Sequence, residues 1–178
     1  DDGPICAYVG NIGLAQGLGT LLEIARVRPC VRFLLCGDGA DRASLEMRAE
    51  AEGIGNVEFC GKVDAAGVYT VLKHADVSYV PLVNSRLRDS IPTKIYEALA
   101  CGCPVLLAAE GDAADLLDAC GLGAHAEPED SSALLAAFDQ LVEEAFSDEE
   151  RAAASEWVIE NHSRQRFAQQ LVEAIQLI

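Results

Sequence analysis

Six short apolar runs, each followed by an amphipathic stretch, do most to limit what this 178-residue chain can fold into. They predict strands at Ile5–Val9, Arg32–Cys36, Val57–Cys60, Val77–Val80, Val105–Ala108 and Gly123–Ala126. The runs are nearly continuous rather than alternating, as expected of strands covered on both faces. Helices fit Leu18–Arg28, Asp41–Glu52, Ala65–His74, Pro92–Cys101, Ala113–Cys120, Ser132–Glu144, Asp148–Asn161 and Arg164–Gln176. Regular alternation with right-handed crossovers gives a doubly wound parallel sheet, an α/β, Rossmann-like fold. Ligands of such sheets bind beyond the carboxyl ends of the strands. The turns Gly10-Asn-Ile-Gly13, Gly37-Asp-Gly39 and Gly61-Lys-Val63, and a basic segment after the fourth strand, all fall at that edge.

The length suits one domain with a substantial core rather than two. No apolar run approaches the roughly 20 residues of a membrane span. No basic, apolar leader opens the chain; Asp1-Asp2-Gly3-Pro4 runs straight into a strand, which predicts a domain cut from a longer protein at a linker. The net charge of −16 argues against nucleic acid and against adsorption to anionic lipid, both of which need clustered cations. Seven cysteines lack zinc spacing and form an odd set, so buried free thiols in a reducing compartment are expected. Gly37-Asp-Gly39 is followed by Arg42 where a dinucleotide fingerprint wants glycine, which disfavours a nicotinamide site. His74, His125 and His162 form no triad and no metal helix, and Trp157 and Phe167 read as packing anchors. No cofactor and no metal are expected.

One segment concentrates positive charge. Arg86, Arg88 and Lys94 place three of the thirteen Lys and Arg residues within nine positions. Pro92 suits the first turn of a helix, Ser90 or its successor the cap, and Gly102 with Pro104 the end. The helix start then offers the Thr93 and Lys94 amides, the Thr93 hydroxyl and the Lys94 ammonium, and such termini favour phosphate. Glu97, three residues after Lys94, shares its face and suits a pair of neighbouring hydroxyls such as those of a ribose. Cations for a diphosphate and an acid for a sugar at one strand-to-helix junction read as a nucleotide-sugar site.

The same segment, Arg86 to Glu97, resembles the donor-binding motif of retaining GT-B glycosyltransferases of the glycosyltransferase group 1 (GT4-like) family. Two acids stand eight positions apart in that motif, here Asp89 and Glu97. The likeness extends, in family order, through Tyr8–Gly17, Phe33–Gly39, Asn56–Val63 and Ala75–Leu82. It implies one C-terminal nucleotide-sugar-binding domain over residues 1–178, closed by terminal helices from about 148 to 178, with the N-terminal acceptor domain absent. It also implies transfer of a sugar, with retention, from a nucleoside-diphosphate donor to an acceptor hydroxyl. Asp89 and Lys94 take the catalytic positions, and Thr93 and Glu97 bind diphosphate and ribose. Gly10, Asn11, Gly13 and Gln16 form the first donor turn. Asn11 and Gln16 are neutral where relatives often carry Arg and Lys, so Lys94 with Arg86 or Arg88 would carry part of the diphosphate load. Gly37 either borders the base or ribose pocket or simply makes a tight turn. Gly61, Lys62 and Val63 would meet the nucleobase, with Lys62 stacked on it or turned to solvent; uracil is favoured and guanine stays open. Asp89 either positions the sugar or pairs with Arg86 or Arg88.

The resemblance further implies that the isolated domain is inactive and that its last helix exposes an apolar face suited to a homodimer. The expected partners are a nucleotide-sugar donor and a sugar or lipid-linked acceptor, in a cytoplasmic protein that can sit at the inner membrane face and serve polysaccharide or glycolipid assembly. Two other classes fit less well: a nucleotide-sugar 2-epimerase half and a non-catalytic nucleotide-binding or interaction domain.

Overall fold

The computed structural model describes residues 3–82, 89–128, 130–163 and 165–166. Among them run β1 (Ile5–Val9), α1 (Gly19–Val27), β2 (Arg32–Cys36), α2 (Arg42–Ala51), β3 (Val57–Gly61), α3 (Ala65–His74), β4 (Val77–Pro81), α4 (Thr93–Ala100), β5 (Val105–Ala108), α5 (Asp112–Cys120), β6 (Gly123–Ala126), α6 (Ser131–Glu144) and α7 (Asp148–His162). A 3₁₀ turn at Leu14–Gln16 precedes α1. The strands make one parallel sheet in the order β3-β2-β1-β4-β5-β6, the doubly wound Rossmann-like arrangement. The expected terminal helix Arg164–Gln176, with Phe167, lies almost wholly outside the described residues.

Strand side chains alternate between two separate cores. Cys6, Tyr8, Val77, Tyr79, Leu106 and Ala108 pack with Leu21, Leu22 and Ile24 of α1, Leu45 of α2 and Leu134, Phe138 and Leu141 of α6. Ala7, Val80, Val105 and Leu107 face the opposite way, onto Leu72 of α3, Ile95 and Leu99 of α4, Leu116 and Leu117 of α5 and Val158 of α7. Two covered faces explain the continuous apolar runs. β3 departs from this expectation. It is one of the two edge strands, and its Glu58 and Cys60 side chains are exposed while Val57 and Phe59 turn inward. The cysteines follow suit. All seven are free, but Cys30 and Cys60 are exposed rather than buried.

Local chemistry sets the helix ends. Asp64 caps α3 through the Gly67 amide, Asp130 caps α6 through Ser132 and Ala133, and Ser147 with Glu150 closes a capping box on α7. At α4 the expectation needs correction: Pro92 is the cap residue itself, extended at φ −67° and ψ 138°, and Ser90 caps nothing. The ring's fixed φ serves an extended residue as well as a helical one, because ψ decides between them. α7 braces the other end of α4. Ser155 Oγ donates to the Ala100 carbonyl at 2.7 Å, and Arg151 donates to that of Gly102 at 3.3 Å. His162 at the end of α7 contacts the Tyr96 and Trp157 rings. No described helix is long and apolar enough to cross a membrane.

Candidate functional site

The helix after β1 crosses one face of the sheet and the helix after β4 crosses the other, so a crevice opens between the carboxyl ends of these neighbouring strands. Gly10 ends one strand's turn and Lys94 starts the helix after the other. They touch: a Cβ on Gly10 would lie 2.3 Å from Lys94 Cε, so the missing side chain is what admits the lysine. Lys94 Nζ then stands 5.1 Å from the centroid of the Tyr8 ring, in range for a cation–π contact. The Tyr8 hydroxyl donates to the Asn11 carbonyl at 2.5 Å, which ties the ring to the same turn.

Lys94 is half-buried, and that burial, only partly opposed by the Glu97 carboxylate, pushes its pKa below the usual lysine value. Among the described residues no carboxylate reaches salt-bridge distance of it. The Thr93 and Lys94 amides precede the first intrahelical acceptor and no side chain caps them. A partly desolvated cation thus lies beside free amides at the positive end of a helix dipole, an arrangement that stabilises an anion.

Beside this point lies a cavity of about 330 Å³, lined by Val9, Gly10, Asn11, Cys36, Gly37, Asp38, Lys62, Val63 and Val68. That is at the small end of the range for ligand pockets. Its walls are two interlocked turns. The Gly10 amide donates to the Cys36 carbonyl and the Ile12 amide to that of Asp38, both at 2.9 Å. Gly37 permits this approach, since a Cβ there would sit 1.8 Å from the Gly10 carbonyl oxygen at φ +154°. Asp38 accepts from the Gly39 amide at 2.9 Å and pairs with Lys62 Nζ at 3.5 Å across the mouth. The Gly39 amide first, and Lys62 and Arg42 after it, hold the Asp38 carboxyl below its ordinary pKa.

A family model described as glycosyl transferases group 1 matches residues 1–174. The chain belongs to this family. It is 30% identical over 149 residues to the putative colanic acid biosynthesis glycosyl transferase WcaI of Escherichia coli K12, a match covering 80% of this chain and 36% of that protein. The chain therefore spans about a third of that relative. Among solved structures, sucrose-phosphate synthase from Thermosynechococcus elongatus superposes with a TM-score of 0.84 at 25% identity, over 99% of this chain and 45% of the other. Anabaena HepE, solved in complex with UDP, gives the same TM-score at 18% identity over 99% and 50% of the two chains. These GT-B likenesses match the expected fold.

As a group 1 family member the chain brings most of its sequence-predicted residues to one rim. Gly10 and Asn11 meet Gly37, Lys62 and Val63 around the cavity, and Lys94 lies against Gly10. Gly61 turns at φ +76° just before Lys62. Asn11 Nδ2 donates to Gln16 Oε1 at 3.4 Å, with Gly13 beneath them. The Lys62 side chain is 79% exposed and ion-paired with Asp38. Thr93 and Glu97 lie exposed on α4, and Asp89 is exposed in the turn before it. Arg86 and Arg88 lie outside the described residues. Tyr8, Cys36 and Asp38 were missed as site residues. Asp38, alone between two glycines at a strand end, carried a legible signal; Tyr8 reads as one more core residue until its hydroxyl is placed.

Proposed function

We propose that this chain is the C-terminal, donor-binding half of a retaining glycosyltransferase that takes its sugar from a nucleoside diphosphate, with UDP the favoured carrier. The observation that carries this reading is Lys94: a half-buried ammonium, beside uncapped amides, laid over a glycine at the switch point of the sheet. Burying a cation without a counter-charge costs stability unless a ligand supplies the charge. A diphosphate does so. The HepE structures with UDP and with UDP-glucose support the nucleotide class.

In this reading the leaving diphosphate gathers negative charge as positive charge builds on the sugar. The Lys94 ammonium and the Thr93 and Lys94 amides face that charge already oriented, which is the most effective form of electrostatic catalysis. Pro92 has no N–H, so the amide cradle begins at Thr93. Glu97 accepts from the ribose hydroxyls and Asp89 positions the transferred sugar. The Gly13 amide and the Asn11–Gln16 amide pair supply neutral donors to the phosphates, while Gly10, whose amide is held by Cys36, leaves room for Lys94. The cavity holds the base between Gly37 and the Gly61-Lys-Val63 turn. The acceptor and any general base belong to the other half of the protein, so the isolated chain is expected to be inert; turnover above background would overturn this.

The donor reading is tested by titrating UDP, GDP, ADP and CMP into the chain while following thermal stability and NMR shifts, with Glu97→Ala in parallel. Ligand at 100 times its Kd is expected to add about 2.7 kcal/mol of stability. Selective UDP binding, weakened in the variant, supports the reading. Indifference to every nucleotide favours a non-catalytic domain.

A further inference from the structure

Cys36 and Cys60 have no part in the proposed donor chemistry, yet they meet at the wall of the cavity. β2 and β3 pair in register from Phe33 opposite Val57 to Leu35 opposite Phe59, and then slip, so that Cys36 faces Gly61 and Cys60 is the extra residue. Leu35 and Phe59 both turn into the core shared with α1 and α2, which sends Cys36 and Cys60 to the other face together. Cys36 is 1% exposed and lines the cavity; Cys60 is open to solvent. Neighbouring strands lie about 4.7–4.9 Å apart, and a disulfide wants its Cα atoms roughly 4.4–6.8 Å apart.

We propose that Cys36 and Cys60 form an oxidisable dithiol, closed to a disulfide by a low-molecular-weight disulfide, and that closure weakens nucleotide binding in the adjoining cavity. The exposed Cys60 thiolate attacks one sulfur of the oxidant RSSR, forming Cys60–S–S–R and releasing one RS⁻. Cys36 loses its proton to solvent and attacks the Cys60 sulfur, expelling the second RS⁻. Two protein thiols become one disulfide, and RSSR is reduced to two RSH. The Cys60 thiol is directed at the Glu58 carbonyl at 3.8 Å, yet it lies near enough to Cys36 to raise that thiol's pKa, so the two side chains are neighbours. Burial first, then Cys60, pushes the Cys36 thiol up to about 12, which leaves Cys60 as the attacking group and makes closure the slow step.

The bond would tie together the last residue of β2 and the next-to-last of β3, directly before Gly37-Asp38 and Gly61-Lys62, the residues that form the cavity's mouth. Those turns could no longer shift independently to admit a base. The effect on nucleotide, though not the dithiol itself, rests on the donor reading.

The test uses the chain with the exposed Cys30 changed to serine, treated with glutathione disulfide. Peptide mapping is expected to show a Cys36–Cys60 linkage with loss of two hydrogens, reversed by dithiothreitol and absent from Cys60→Ser. UDP affinity is expected to fall at least tenfold on oxidation, to recover on reduction, and to stay insensitive to oxidant in Cys60→Ser. A stable glutathione adduct on Cys60 without the linkage overturns the dithiol, and equal UDP affinity before and after closure overturns the coupling. If the reduced chain binds no UDP, the donor reading and the coupling that depends on it both fall, and the mapping alone decides the dithiol.

Discussion

Lys94 concentrates the electrostatic cost of this site in one residue, and its protonation can be followed. Burial disfavours the charged form in the free chain, so the free-state pKa lies below the usual lysine value. A bound diphosphate favours the charged form. Binding is therefore complete below the free-state pKa and weakens as pH rises through it, earlier than for an exposed lysine at about 10.4. Isothermal titration of UDP from neutral to alkaline pH is expected to show this loss, and Lys94→Ala to flatten it. The same variant is expected to lower affinity at neutral pH by about 1.5–3 kcal/mol, the worth of a charge-assisted hydrogen bond, or roughly ten- to a hundredfold. A pH profile that is unchanged in the variant would assign the step to another group. Lys94 was legible in the sequence because its position in the first turn of a helix after an apolar strand fixes what it can reach. Tyr8 was not legible in this role. A tyrosine in a buried strand predicts packing, and only the fold brings its ring under an ammonium from a helix 86 positions away.

At the scale of elements, strands and helices were readable where one force set them. Two apolar faces per strand produced the runs, and aspartate or serine caps marked α3, α6 and α7. The edge strand β3 and the start of α4 were harder to read. Edge position is a property of the assembled sheet, and proline fits both an extended cap and a first turn. Another long-range device joins elements far apart in sequence. Asn56, just before β3, donates from Nδ2 to the carbonyls of Ala25, Arg28 and Val31 at 3.0, 3.0 and 2.8 Å. It thereby satisfies the open end of α1 and fixes the loop that leads into β2. Asn56→Ala removes the side-chain donor shared by these part-buried carbonyls, of which Ala25 and Arg28 keep only a backbone amide each, at about 1–3 kcal/mol. Urea unfolding is expected to show a lower midpoint by that amount with an unchanged slope. A changed slope would mean that the denatured state, rather than this staple, is affected. The cavity should survive the substitution, since Asn56 sits at the opposite end of β3 from Gly61.

For the whole molecule, 29 acids against 13 Lys and Arg residues mean that most carboxylates have no cation to pair with. The ion pairs that do form are mostly at the surface. Arg28–Asp139, Arg42–Glu46 and Arg48 with Glu23 and Glu52 keep roughly a third to two-fifths of their side chains exposed. Exposed pairs contribute only about 0–1 kcal/mol each, and salt weakens them. Self-repulsion among the surplus carboxylates acts across the domain and opposes the compact state. These effects respond to salt in opposite directions, so ionic strength decides between them. The screening length falls from about 30 Å at 0.01 M to about 8 Å at 0.15 M, from about the diameter of a small domain to the spacing of near neighbours. Repulsion is long-ranged and should be relieved first, while contact pairs are still held. Thermal unfolding in sodium chloride is expected to show a midpoint rising by a few degrees over that range, equivalent to about 1 kcal/mol for a chain of this length. A falling midpoint would instead mean that the surface pairs outweigh the repulsion. The same charge balance bears on the donor site. A dianionic ligand approaches a molecule that repels it everywhere except at one rim, so the added salt should speed its arrival while loosening its hold on Lys94.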